Sequence, residues 1–261
     1  MILVIFKLLI AIPIMAGMAI LVAAMANLMY DPGKMEEQGE LDKQALPLAN
    51  PVLLAALLFL LFGPLVMAWL QQQFWPDSAP PSVLLSSAVV LVLTAMFLGV
   101  FTRRWPAALP FSWRRQPVIA YCLFLPLLAA VSVVNRILME DVGGVELPWQ
   151  VVSGFDELSG WPLAGALLMV IVLVPWLEEI IFRHFVWGAL LKHPGFGVLR
   201  ALIFSSLAFT VLHPPTMWLP VFCLGLFLAW VRWRSCRLAD AVVIHQLHNL
   251  LVVLLLTDLS F

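Results

Sequence analysis

The stretch WPLAGALLMVIVLVPWLEEIIFRHFVWGALL, residues 161–191, is an almost unbroken apolar run with Glu178, Glu179 and Arg183 inside it. A bilayer core about 30 Å thick takes roughly 20 apolar residues per helical crossing, so the run is long enough to span and to tilt or project beyond. Its apolar residues are continuous rather than alternating. This predicts a membrane helix and not a barrel strand, because lipid leaves backbone groups no partner outside their own segment.

The rest of the chain has the same character. Of 261 residues, 63% are hydrophobic and 11% charged, and the mean hydropathy is +1.03. A soluble globule needs more polar surface than this. Eight apolar segments, at 3–29, 51–71, 83–101, 117–135, 161–191, 197–213, 216–233 and 238–257, predict an all-α polytopic membrane protein of about eight transmembrane helices with a buried polar active site. Pro214-Pro215 stops the sixth segment early, which suggests a helix ending within the membrane thickness. The first segment contains AMA at 24–26, which resembles a signal-peptide cleavage site. Its apolar run after Lys7 exceeds the usual signal core of roughly 7–15 residues, so retention is expected.

Eight crossings put both termini on one side. The connections 30–50, 102–116, 183–200 and 232–237 lie on the other side with Lys34, Lys43, Arg103, Arg104, Arg114, Arg115, Arg183, Lys192, Arg200, Arg232, Arg234 and Arg237, twelve of the fourteen basic residues. The excess of positive charge places those connections in the cytoplasm and both termini outside, as in a multi-pass protein of a bacterial inner membrane.

A net charge of −1 and the lack of a basic tail or patch exclude nucleic acid as a partner. Cys122, Cys223 and Cys236 are scattered without C-x-x-C spacing, so they read as packing residues rather than a disulfide or zinc framework. The acidic connections 31–44 and 136–160 read as solvated loops. No repeat or linker divides the chain, so residues 1–261 are expected to form a single membrane domain, with the motif-bearing core at about 160–257.

Charge inside a membrane costs several kcal/mol and is a functional hypothesis by default. In VPWLEEIIFRH, 174–184, Glu179 and Arg183 are i and i+4 with the acid first, the favourable order for a pair. Glu178 is turned about 100° away, which leaves one carboxylate available. Pro175 is expected to kink the helix just before it. Glu179 and Arg183 suit a structural knot as well as a chemical role; Glu178 is less well explained by a knot. The other deep polar groups are His213, in FTVLH at 209–213, and His245 and Asn249, i and i+4 on one face in HQLHN at 245–249. His248 is read as a packing or supporting residue, His184 and His193 as interfacial, and Asp240 as a polar residue at a helix start. Trp105, Trp113, Trp218, Trp230 and Trp233 fall near the membrane boundaries, where aromatic belts form.

The motifs E-E-x-x-x-R at 178–183, F-x-x-x-H at 209–213 and H-x-x-x-N at 245–249, in this order on successive helices, resemble those of the CAAX prenyl protease and bacteriocin-processing family of intramembrane proteases. The resemblance covers roughly 160–255. It implies that Glu178 and His213 activate a water for attack on a peptide carbonyl, that His245 and Asn249 form the oxyanion hole, and that Glu179 and Arg183 support the scaffold. A buried glutamate can serve as general base, and two donors on one helix face can meet one oxygen, so the chemistry agrees with the residues.

The expected function is therefore an intramembrane endopeptidase acting on a membrane-associated peptide or protein substrate at the lipid bilayer. Serine chemistry at Ser205 or Ser206 has no G-x-S-x-G context. A metal mechanism with Glu178, Glu179, His213 and His245 as zinc ligands is the rival within the enzyme class. The absence of H-E-x-x-H favours a protease without a cofactor. Outside that class, an immunity protein or a transporter remains the alternative, but neither needs a base, an imidazole and paired donors together.

Overall fold

A computed structural model describes residues 50–74, 81–102, 114–142, 158–193, 195 and 197–256. These residues are helical, with no strand among them. Helix α1 spans Pro51–Phe74, α2 Pro81–Thr102 and α3 Arg115–Arg136; α3 continues as a π-helical turn, Ile137–Val142. Helix α4 runs without a break over Gly160–Lys192. Helix α5 is Val198–Thr210, α6 Trp218–Ser235 and α7 Leu238–Leu256. The predicted segment 3–29 lies outside the described residues.

Arg115–Glu140, Gly160–Lys192, Pro215–Ser235 and Leu238–Leu255 are long and apolar enough to cross a membrane, and Pro51–Leu60, Val89–Val100 and Val198–Thr210 are shorter apolar stretches. Of the eight expected crossings, seven therefore coincide with helices, four of them at spanning length as described.

Local chemistry sets the boundaries. Asn50 caps α1: its Oδ1 accepts from the Val52 and Leu53 N–H groups at 2.9 and 3.3 Å, and Pro51 occupies the first helical position, where no N–H is needed. Helix α5 ends at Thr210, not at 213 as the apolar run suggests. His213 precedes Pro214, and a residue before proline is sterically kept from continuing a helix. His213 therefore sits in a turn, its N–H bonded to Thr210 O at 3.0 Å. Cys236 closes α6 in the left-handed conformation, φ 54°.

Two apolar cores meet along the α6 and α7 pair. One joins Leu53, Ala56 and Leu60 of α1 and Val90, Leu91, Ala95 and Leu98 of α2 to the second half of α4 and to α5. The other joins Ala120, Tyr121, Phe124 and Leu128 of α3 to Leu224, Phe227, Leu228 and Ile244. Phe124 stacks on Phe227 at 4.2 Å between ring centroids. Helix α4 is divided in character. No residue of Gly160–Leu173 is buried, whereas Leu177 to Leu190 is buried at nearly every position. The 33-residue helix is about 50 Å long at 1.5 Å per residue, and its first turns are more exposed than its second half.

Candidate active site

The site is built where α4 changes its winding. Pro175 has no N–H to give to Ile171 O, the acceptor an α-helix would use. Over Met169–Leu173 the helix widens to a π pattern, in which the Val174 N–H bonds Met169 O. That shift leaves the Val170 carbonyl without its α-helical donor, Val174, and Pro175 cannot serve as its π donor. Helix α7 supplies the missing group: Asn249 Nδ2 donates to Val170 O at 2.9 Å, and Gln246 Nε2 to Val172 O at 3.1 Å. The sequence predicts a kink at Pro175; the structure answers with a widened turn clamped by side chains.

One turn later come the carboxylates. Glu179, Arg183 and His245 are almost wholly enclosed, and Glu178 is 7% exposed. Glu179 Oε2 lies 3.3 Å from Arg183 Nε without hydrogen-bond alignment, so this contact is a charge pairing. Arg183 Nη2 donates to Gly225 O on α6 at 3.0 Å, and the guanidinium carbon lies 4.6 Å from the Phe209 ring centroid. His245 Nδ1 is 3.0 Å from Glu179 Oε1. An ionised carboxylate only accepts, so this contact places the hydrogen on Nδ1 and turns Nε2 toward Glu178, whose Oε2 is 3.7 Å away. That separation is beyond a direct hydrogen bond and within reach of a shared water.

The predicted site residues thus divide. Glu178, Glu179, Arg183 and His245 come together in one buried cluster. Asn249 lies one turn further along α7, with its amide on the Val170 carbonyl. His213 joins through Phe209: its ring is 4.8 Å from the Phe209 ring, which is 5.7 Å from His245. The His213 Nδ1 meets Phe209 O at 3.1 Å. The imidazole paired with Glu178 is that of His245.

Other polar residues are occupied elsewhere. The Ser205 and Ser206 hydroxyls bond Leu202 O at 3.3 and 2.7 Å, within their own helix. His248 Nδ1 meets the Tyr121 hydroxyl at 3.0 Å, facing α3. Cys122, Cys223 and Cys236 are free thiols. Among the described residues no group of three or more His, Cys, Asp and Glu side chains is placed to hold a metal ion.

Sequence reasoning missed Gly225 and Asn135. A Cβ at Gly225 would lie 3.2 Å from both Phe209 Cδ1 and Ser206 Cβ, so α5 and α6 approach closely only because this residue has none. Asn135 reaches the Thr216 carbonyl at 2.8 Å, in the turn that carries His213. Neither belongs to a spacing pattern; the sole signal was a polar Asn closing the apolar run of α3.

The family model described as type II CAAX prenyl endopeptidase Rce1-like matches residues 160–251, which hold all three motifs. Comparisons with curated proteins and with solved structures give no match. Residues 160–251 are thus similar to the CAAX prenyl protease family over the part of the chain that carries the motifs.

Proposed function

We propose that this integral membrane protein is an endopeptidase that hydrolyses a peptide bond of a membrane-associated peptide or protein by metal-independent activation of water. The observation that carries the reading is the buried series Arg183–Glu179–His245–Glu178. Arg183 neutralises Glu179, and Glu179 fixes the His245 tautomer. The remaining carboxylate and the free face of the imidazole are left across a gap that one water can bridge. Glu178 takes the proton of that water as it attacks the carbonyl, and His213, which adjoins the cluster through the Phe209 ring, is its second imidazole partner. His245 Nε2, the acceptor of this tautomer, holds the second hydrogen of the water, and the second N–H of Asn249 is the donor for the oxyanion, preorganised by the widened turn of α4. Collapse of the tetrahedral species expels the amine, which leaves with the proton held by Glu178.

Residues 1–261 act as one membrane domain, with both termini extracytoplasmic in a bacterial inner membrane. The test compares fluorescence-quenched CAAX peptides, farnesylated and unmodified, on purified protein in lipid. The expected result is cleavage by the native chain and none by Glu178→Gln at equal folded concentration. Full activity in Glu178→Gln refutes the assignment.

A further inference from the structure

Asn135 ends α3 and is 5% exposed, on the face that otherwise buries Tyr121, Phe124, Leu128, Val131 and Val134. Its Nδ2 donates to Thr216 O at 2.8 Å, while its Oδ1 is enclosed with no protein donor in reach among the described residues. A buried acceptor left unmade costs about as much as one neutral hydrogen bond returns, or more. Stability alone therefore does not favour asparagine over leucine at this position.

What the bond does is hold residues 211–217. Helix α5 has ended, Pro214 and Pro215 have no N–H to give, and the turn's backbone bonds are local ones: Val211 N–H to Leu207 O, His213 N–H to Thr210 O, Met217 N–H to Pro214 O and Trp218 N–H to Pro215 O. Two side chains brace it. Trp218 Nε1, on the first residue of α6, donates to His213 O at 2.8 Å. Asn135 braces it from α3, which packs on α6 and α7, and is the side chain of α3 that bonds the turn among the described residues.

We propose that Asn135 is a positioning residue for His213: it anchors the turn so that the imidazole keeps its place against Phe209, through which it adjoins the buried cluster. The inference rests on the reading of His213 as the partner of Glu178. A misplacement of about 1 Å in a catalytic group can cost about 100-fold in rate, so loss of the anchor appears in turnover before it appears in folding.

The test uses Asn135→Leu, which removes the donor and keeps the volume, and Asn135→Gln, which keeps a carboxamide. On the farnesylated CAAX peptide, Asn135→Leu is expected to lower kcat by about 10–100-fold with KM within about twofold, and Asn135→Gln to recover part of the loss. Hydrogen exchange of the backbone amides of 211–217, read by mass spectrometry, is expected to quicken in Asn135→Leu and to stay near native in Asn135→Gln. Unchanged exchange in Asn135→Leu overturns the anchor, and unchanged kcat per folded molecule overturns its role in catalysis. A native chain that cleaves neither peptide, or a fully active Glu178→Gln, refutes the protease reading instead, while the exchange measurement still decides whether Asn135 holds the turn.

Discussion

Glu179 on α4 accepts the Nδ1 hydrogen of His245 on α7 at 3.0 Å, with both side chains shut away from the surface. The same carboxylate faces Arg183, which in turn holds the Gly225 carbonyl, so one residue links α4, α6 and α7. Removing either charge strands the other. Glu179→Gln and Arg183→Leu are expected to destabilise by about 3–5 kcal/mol, as broken buried pairs do. Glu178, paired only across 3.7 Å, is expected to lose function in Glu178→Gln with little loss of folded yield. Thermal unfolding and activity per folded molecule separate the two; equal losses of stability at 178 and 179 refute the division.

Gly225 tests how tightly the site depends on helix approach. Gly225→Ala forces Phe209 and Ser206 apart, and part of the contact is with the Ser206 backbone at 3.4 Å, which cannot swing away. Overpacking of this kind costs about 1–3 kcal/mol, offset by up to about 1 kcal/mol from replacing a helical glycine. A net loss of about 1 kcal/mol is expected, and a larger loss for Gly225→Val. Unfolding midpoints in detergent check it; a stabilised Gly225→Val shows that the helices have room.

What was legible in the sequence follows from local spacing. Glu179 and Arg183 at i and i+4, and the lone apolar character of the run around them, were enough to predict their pairing on a buried helix. The end of α5 was placed three residues late because apolarity continues to Leu212, whereas the backbone obeys the restriction before Pro214. The widened turn was read only as a kink, since which carbonyls are freed depends on the hydrogen-bond pattern the helix chooses around Pro175. The partner of Glu178, the hold of Asn249 on Val170 and the reach of Asn135 to Thr216 are tertiary, and no one-helix pattern encodes them.

Cys236 occupies a left-handed position at the end of α6, φ 54°, where glycine carries no Cβ penalty. Cys236→Gly is therefore expected to stabilise the protein by about 1 kcal/mol, and Cys236→Val to destabilise it. The thiol contact to Trp233 O, at 3.6 Å, is weak and offsets little of this. A lower unfolding midpoint for Cys236→Gly contradicts the expectation.

Metal independence is open to direct measurement. Glu179 already meets Arg183 and His245, which leaves no third ligand beside Glu178 and His245 among the described residues. Protein treated with chelator is expected to keep its activity and to hold less than one zinc per chain by mass spectrometry. Activity lost on stripping and restored by zinc refutes the water mechanism built on Glu178 as base.

The side from which the site opens follows from the charge bias and the turn at 211–217. In the proposed orientation the connection between α6 and α7, with Arg232, Arg234 and Arg237, is cytoplasmic, and α7 enters from that side. From Asp240, His245 lies about 8 Å and Asn249 about 14 Å along the helix, near the middle of the membrane. Helix α5 runs from the cytoplasmic connection toward His213, and its early end puts the turn on the opposite side of the site. Leu199, at the start of α5, and Pro215, in the turn, are both exposed and lie outside the polar cluster. Single cysteines at these positions, in an active variant lacking Cys122, Cys223 and Cys236, report the orientation through an impermeant thiol reagent applied to intact cells. Labelling at Pro215→Cys with protection at Leu199→Cys is expected, which puts the substrate on the extracytoplasmic side. The reverse pattern inverts the topology and moves the substrate to the cytoplasm.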